Sequence, residues 1–311
     1  MRRVLRRFLN GCFMIRTRLL SALVGAAGLI ALSTALAQAA PTPSVSRYMH
    51  TASTTTAYNE GCSMGSTNAS GVVVLDFGEP YYSGGWGAYD YGNAFVSNAQ
   101  MAAFAEQYAY GYWKCSGAGP RLELAVGTSN YGSHVSNAGG VAFGQMINSI
   151  NTWLTNQNIA YQISIRGAND MELDWNSYAT TKAWEDGYQS ATSLYLFDYG
   201  DLAGCPPYGS CDNGWTQSAV WYKSWGLKDA IPLPEIYYSS QASEWYHASL
   251  YSALNEANGK YKFEGTMTQY AACGSCTYSP AAGYDALYNA INGDSRTTDT
   301  PLDSTDISNA N

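Results

Sequence analysis

Histidine is scarce in this chain, with three in 311 residues. A metal site built on several imidazoles is therefore not expected: His50 falls in an N-terminal leader, which leaves only His134 and His247. Phosphate-cradling glycine loops and the G-x-S-x-G turn of serine hydrolases are missing too, which disfavours nucleotide chemistry and a serine nucleophile. Basic residues are few, and six of the 16 (Arg2, Arg3, Arg6, Arg7, Arg16 and Arg18) lie in the first 39 residues, which hold none of the 24 acids. Without that segment ten basic residues face 24 acids, a net charge of −14. Nucleic acid is an unsuitable partner for such a surface, because affinity for it rests on cations neutralising phosphates. Long apolar runs are absent after Ala37, so no later segment is expected to cross a membrane.

The one long apolar run, Leu19 to Ala37, follows the arginines and ends in Ala37-Gln38-Ala39, the small-x-small form of a signal-peptidase site. Residues 1–39 are read as a signal peptide, with Met1 or Met14 as initiator, and the mature protein as secreted, free of the membrane and monomeric. Cys12 leaves with that segment. Cys62, Cys115, Cys205, Cys211, Cys273 and Cys276 remain, an even number that suits disulfides in an exported chain. Closeness in sequence pairs Cys205 with Cys211 and Cys273 with Cys276, leaving Cys62 for Cys115. Cys273-Gly-Ser-Cys276 also has the spacing of a redox pair, but a Tyr-Ser-Pro turn follows it rather than a helix.

Residues 40–61, rich in Thr, Ser and Ala, read as a flexible leader, and residues 293–311 as a polar tail. Between them, over 62–292, lies a single domain of six strand-then-helix units. The strands are Gly71–Gly78, Arg121–Val126, Tyr161–Ile165, Ser193–Asp198, Leu233–Tyr238 and Tyr261–Gln269, each followed by a stretch of helical periodicity. This alternation predicts an α/β fold with a parallel sheet. Polar residues recur at the strand ends (Asp76, Asp170 and Glu172, Asp198, Gln269), which favours a TIM-like (β/α) barrel, where those ends converge on one site. Two of the eight strands are then unseen, or the barrel is irregular.

The chemistry concentrates in Ile163 to Trp175, ISIRGANDMELDW. Asp170, Glu172 and Asp174 alternate, and in an extended backbone they share one face about 7 Å apart. Crowded carboxylates repel, so such a set is tolerated where one is protonated, hydrogen-bonded or beside a substrate. Asp174 can instead serve helix entrance, with Asn176 as N-cap. Glu172, Asp170, Asp76 and Asp198 are the candidate catalytic acids. Gln269, Tyr270, Tyr237, Trp175 and Trp86 are the candidate substrate contacts, drawn from 26 tyrosines and nine tryptophans. No cofactor or metal is called for.

Paired carboxylates among aromatic rings suit a polysaccharide or peptidoglycan, since sugars stack on aromatic faces and hydrolysis of a glycosidic bond needs two acids. The LDFG at Leu75 to Gly78, the D-x-E at Asp170 to Glu172, the IYYS at Ile236 to Ser239 and the TQY at Thr268 to Tyr270 resemble the barrel lysozymes of glycoside hydrolase family 25. That resemblance implies Glu172 as the acid, with Asp170 and Asp76 as stabiliser, base or nucleophile. Two features depart from it: LYLFDYG precedes IYYS, and Thr268 stands where the family has tryptophan. The leading expectation is a secreted glycoside hydrolase acting on a cell-wall or environmental glycan. The alternative is a non-catalytic carbohydrate-binding or surface protein on the same barrel.

Overall fold

The computed structural model describes residues 38–274 and 277–309. The expected signal segment up to residue 37, and Cys276 with its expected bridge to Cys273, lie outside the described residues. In chain order the elements are β1 (Ser44–Tyr48), α1 (Thr54–Ser66), β2 (Gly71–Asp76), β3 (Glu79–Tyr82), β4 (Trp86–Tyr89), β5 (Phe95–Ser97) and α2 (Asn98–Cys115). Then come β6 (Leu122–Ser129), α3 (Asn137–Asn156), β7 (Ile163–Asp170), α4 (Tyr178–Ala191), β8 (Leu196–Asp198) and α5 (Gln217–Trp221), which runs into a π-helical turn at Tyr222–Gly226. The chain ends with β9 (Ala230–Pro232), α6 (Ser239–Asn255), β10 (Gly265–Thr268), α7 (Tyr270–Cys273), α8 (Pro280–Asn292) and β11 (Asp303–Asn309).

Eight strands form one parallel sheet in the order β10, β11, β1, β2, β6, β7, β8, β9, and a parallel bridge from Glu235 to Met267 joins its two ends. The result is the expected TIM-like α/β barrel. Strands β3, β4 and β5 make a separate antiparallel sheet in the loop after β2. Val72, Val74, Ala125, Ala168, Phe197, Leu233, Met267 and Ile307 cluster as one buried core, while a larger one joins β2, β6 and β7 to α2, α3 and α4. Hydroxyl side chains cap most of these helices: Ser53, Ser97, Ser136, Ser177, Thr216 and Ser279 each accept a backbone N–H of the first turn.

The two strands unseen in the sequence are β1 and β11, so the flexible leader and the polar tail are both corrected. Small residues in the presumed leader reflect close packing rather than disorder. A Cβ on Gly61 would lie 2.0 Å from the Tyr108 carbonyl oxygen, and one on Gly65 2.4 Å from that of Tyr112, so α1 and α2 cross nearly backbone to backbone. Cys62 and Cys115 bridge the same pair of helices. The tail is polar yet buried, because its polar groups pair sideways inside the sheet. Ser46 Oγ and Thr305 Oγ1 lie 2.8 Å apart, and Asp306 accepts the backbone N–H groups of Tyr270 and Ala271 at 2.8 and 2.9 Å. Strand β9 also falls earlier than expected, at Ala230–Pro232, since Pro234 inside the expected span lacks the N–H a ladder needs.

Candidate active site

The cleft at the carboxyl ends of the strands occupies about 290 Å³ and is walled by Tyr48, Tyr91, Trp175, Tyr237 and Gln269 around Asp170, Glu172 and Glu235. Oxygens of the three carboxyls all lie within 4.8 Å of one another. Asp170 ends β7, Glu172 follows it by two residues, and Glu235 arrives from the loop after β9. Asn130, just past β6, fixes this corner. Its backbone N–H donates to the Asp170 carbonyl at 2.9 Å, its Oδ1 accepts the Glu172 N–H at 3.1 Å, and its Nδ2 donates to the Glu172 carbonyl at 3.0 Å.

Burial dominates the electrostatics. Glu172, partly open to the cleft, is pushed up to about 7 by burial and then by the Asp201 charge, with Lys223 pulling the other way. Burial first, then Glu172 and Asp76, raises Asp170 well above the usual carboxylate range. Glu235 is likewise raised well above its range by burial and then by Asp170. Three ionised carboxylates cannot coexist at this spacing without a cation, so protons are shared among them. Their oxygens also make the donor set of a hard divalent cation.

The expected acids separate into two groups. Asp170 and Glu172 meet in the cleft, whereas Asp76 lies beneath its wall, fully buried, accepting the Tyr91 hydroxyl at 2.7 Å and the Gly78 N–H at 2.8 Å. Gly78 sits at φ 80°, a backbone conformation that side chains rarely adopt, so the chain can fold back onto Asp76 there. Asp198 is not in the cleft, which corrects its assignment as a catalytic acid. Its Oδ2 pairs with Lys223 Nζ at 2.8 Å, both side chains being fully buried, and Lys223 donates in turn to the Met171 carbonyl at 2.9 Å. Asp198 thus holds the ammonium that in turn holds the backbone between Asp170 and Glu172, and it lies outside the cleft lining.

Among the expected contacts, Trp175, Tyr237 and Gln269 line the cleft. Tyr270 is turned outward at 39% exposure, and Trp86 stacks edge-on with Tyr82, ring centres 5.1 Å apart, in the accessory sheet; neither lines the cleft. Asp174 is exposed in a turn, and Ser177 rather than Asn176 caps α4. Asn176 instead ties the loop down, donating to the carbonyls of Asn130 and Gly132 at 3.0 and 2.9 Å. Sequence reasoning passed over Glu235, Tyr48, Tyr91 and Asn130. Glu235 carried a usable signal, an acid inside the apolar Leu233 to Tyr238 run, and Tyr48 was lost with the presumed leader. A second cavity, with Glu79, Tyr89, Asp90 and Tyr131 in its wall, adjoins the first, since Tyr91 and Trp175 line both.

No protein-family model matches the chain, and no curated protein is similar to it in sequence. Two chains of solved structures match, among them the endo-1,4-beta-mannanase from Rhizomucor miehei, with a TM-score of 0.41 and 11% identity over 85% of this chain and 86% of that one. The family 25 motifs also sit differently here. Asp76 ends the second barrel strand rather than the first, and the TQY follows the seventh strand rather than closing the barrel.

Proposed function

We propose that this protein is a glycoside hydrolase in which Glu172 is the general acid and Glu235 the nucleophile. The observation that supports the reading is the approach of the two carboxyls to within 4.8 Å at an aromatic-walled barrel mouth. That distance is nearer the roughly 5–5.5 Å of retaining enzymes than the roughly 6.5–9.5 Å of inverting ones. Glu172, with its proton held up to about 7, protonates the leaving glycosidic oxygen while Glu235 attacks the anomeric carbon. The ionised Glu172 then takes a proton from water, and the resulting hydroxide releases the sugar with its configuration retained. Glu172 keeps the role of acid expected of it, Glu235 takes the place of Asp198 among the reacting carboxyls, and Asp76 supports the wall through Tyr91.

The substrate is a polysaccharide, with peptidoglycan kept in the test panel because of the Asp170-x-Glu172 motif. Export is part of the same reading: residues 1–39 act as a signal peptide, and the Cys62–Cys115 and Cys205–Cys211 bridges suit an oxidising compartment. No helix among the described residues is long and apolar enough to cross a membrane.

A binding-only role has one observation in its favour. Asp170 and Glu235 are buried deeply enough that the neutral acid is favoured in both, which weakens a nucleophile. Reducing-sugar release from a glycan and peptidoglycan panel, lost in Glu172→Gln and in Glu235→Gln, supports hydrolysis. Saccharide binding without turnover in the unaltered protein overturns it.

A further inference from the structure

Hydrolysis needs two carboxyls, and this cleft holds three. Asp170 is 5% exposed, lines the cleft, and its Oδ1 has no hydrogen-bond partner. The Tyr237 hydroxyl in the same wall, on a residue 7% exposed, neighbours the Glu235 carboxyl and the Tyr48 hydroxyl but makes no hydrogen bond of good geometry with either. Buried polar atoms are seldom left unsatisfied, so an acceptor and a hydroxyl open on the same cavity call for a ligand that donates to them. The ligand's charge follows from the surroundings. No Lys, Arg or His lines this cleft or the cavity next to it, among the described residues, and that cavity adds Glu79 and Asp90. Lys223, fully buried and close enough for its charge to act on Glu172, is bound to Asp198 and the Met171 carbonyl and does not line the cleft.

We infer that the site takes a sugar bearing a free, protonated amino group, an amino-sugar polymer that is not N-acetylated, with the ammonium received by Asp170. This rests on the hydrolase reading above and names its substrate class. An ammonium has three donors, which matches Asp170 Oδ1, the Tyr237 oxygen and a Glu235 oxygen together, whereas one sugar hydroxyl has a single proton to give. Its charge lets two of the crowded carboxylates stay ionised, including the nucleophile. Tyr48 and Tyr91, in the wall, add aromatic rings, which attract a cation and not an anion. A uronic acid polymer meets only like charge here.

The test measures affinity in Glu172→Gln, which keeps the cleft's shape without turnover, in EDTA and slightly acidic buffer. The probes are oligosaccharides of equal length carrying free amino groups, N-acetylated amino groups, plain hydroxyls or uronic carboxylates. The free amine should bind about tenfold or more tightly than its N-acetylated analogue. Adding Asp170→Asn should abolish the preference, lowering the affinity for the free amine by about tenfold more than that for its N-acetylated analogue. Tyr237→Phe is the milder second variant, should Asp170→Asn not fold, and should narrow the preference. Equal affinity for amine and N-acetyl forms, tighter binding of the uronate, or a preference untouched by Asp170→Asn and Tyr237→Phe overturns the inference. So does tight calcium or magnesium binding that depends on Asp170 and displaces the amine. If the unaltered protein cleaves neutral glycans without an amine preference, the inference fails and the hydrolase reading stands. If amine oligosaccharides bind through Asp170 and are never cleaved, the reverse holds.

Discussion

The amide of Asn130 clasps the main chain of Glu172 from both sides, accepting its N–H at 3.1 Å and donating to its carbonyl at 3.0 Å. Among the described residues no other side chain bonds both groups of that residue, so the position of the proposed acid depends on a side chain that does not line the cleft. Asn130→Ala should lower kcat by about tenfold or more through misplacement alone. The pH limb of Glu172 should shift with it, because its burial changes. A variant with unaltered kcat and pH profile would show that the clasp is ornamental.

Asp198 and Glu235 should behave differently when neutralised. Asp198→Asn strands the fully buried Lys223, and breaking one partner of such a pair costs about 3–5 kcal/mol, so its effect should be seen in the thermal midpoint. Glu235→Gln keeps the midpoint close to that of the unaltered protein and lowers turnover by several orders of magnitude. Asp174→Asn, exposed in its turn, should change neither. Melting curves beside initial rates separate the three.

Acidity should favour folding, and alkalinity should cost activity. Burial raises Glu172, Glu244 and Glu264 to about 7 and Asp303 to about 6, all above their ordinary values of 4.5 or 3.8. The folded protein therefore holds these protons more tightly than the unfolded chain. Their stabilising contribution is complete below the ordinary values and is lost as the pH rises through 6 to 7. The thermal midpoint should be higher at pH 5 than at pH 8, and hydrolysis should fall above about pH 7 as Glu172 loses its proton. A midpoint that climbs steadily toward alkaline pH would contradict this.

The Cys62–Cys115 bridge spans 53 residues and the Cys205–Cys211 bridge six. By loop entropy alone, the first is worth about 4 kcal/mol and the second about 2 kcal/mol. Replacing the first pair with alanines should therefore cause the larger fall in melting temperature, and it should loosen the α1 against α2 crossing, seen as faster amide exchange in both helices.

The barrel was legible in the sequence wherever a strand was apolar. Val72 to Leu75 and Ile163 to Ile165 announce themselves, and the helices between them have clear periodicity and serine caps. It was illegible where a strand is polar, as in Asp303–Asn309, because hydroxyls and carboxylates that bond across the sheet resemble those that face water. The site was half legible for a related reason. Asp170 and Glu172 share one segment, but Glu235 joins them only through closure of the sheet, and Asp198 looked equivalent to them until its partner Lys223, 25 residues onward, was seen.

Strand β1 lies between β2 and β11, with Ser44 opposite Thr305 and Tyr48 opposite Asn309. The first strand to leave a ribosome or a translocation pore thus waits for the last before one of its edges is covered. Pairing across some 260 residues is slow, so the finished barrel is a late event, formed only once the whole polypeptide has emerged. Nothing in the N-terminal half can therefore lock prematurely into the completed architecture. A version shortened by its last nine residues should accordingly remain an open, protease-sensitive sheet however long it is left to mature.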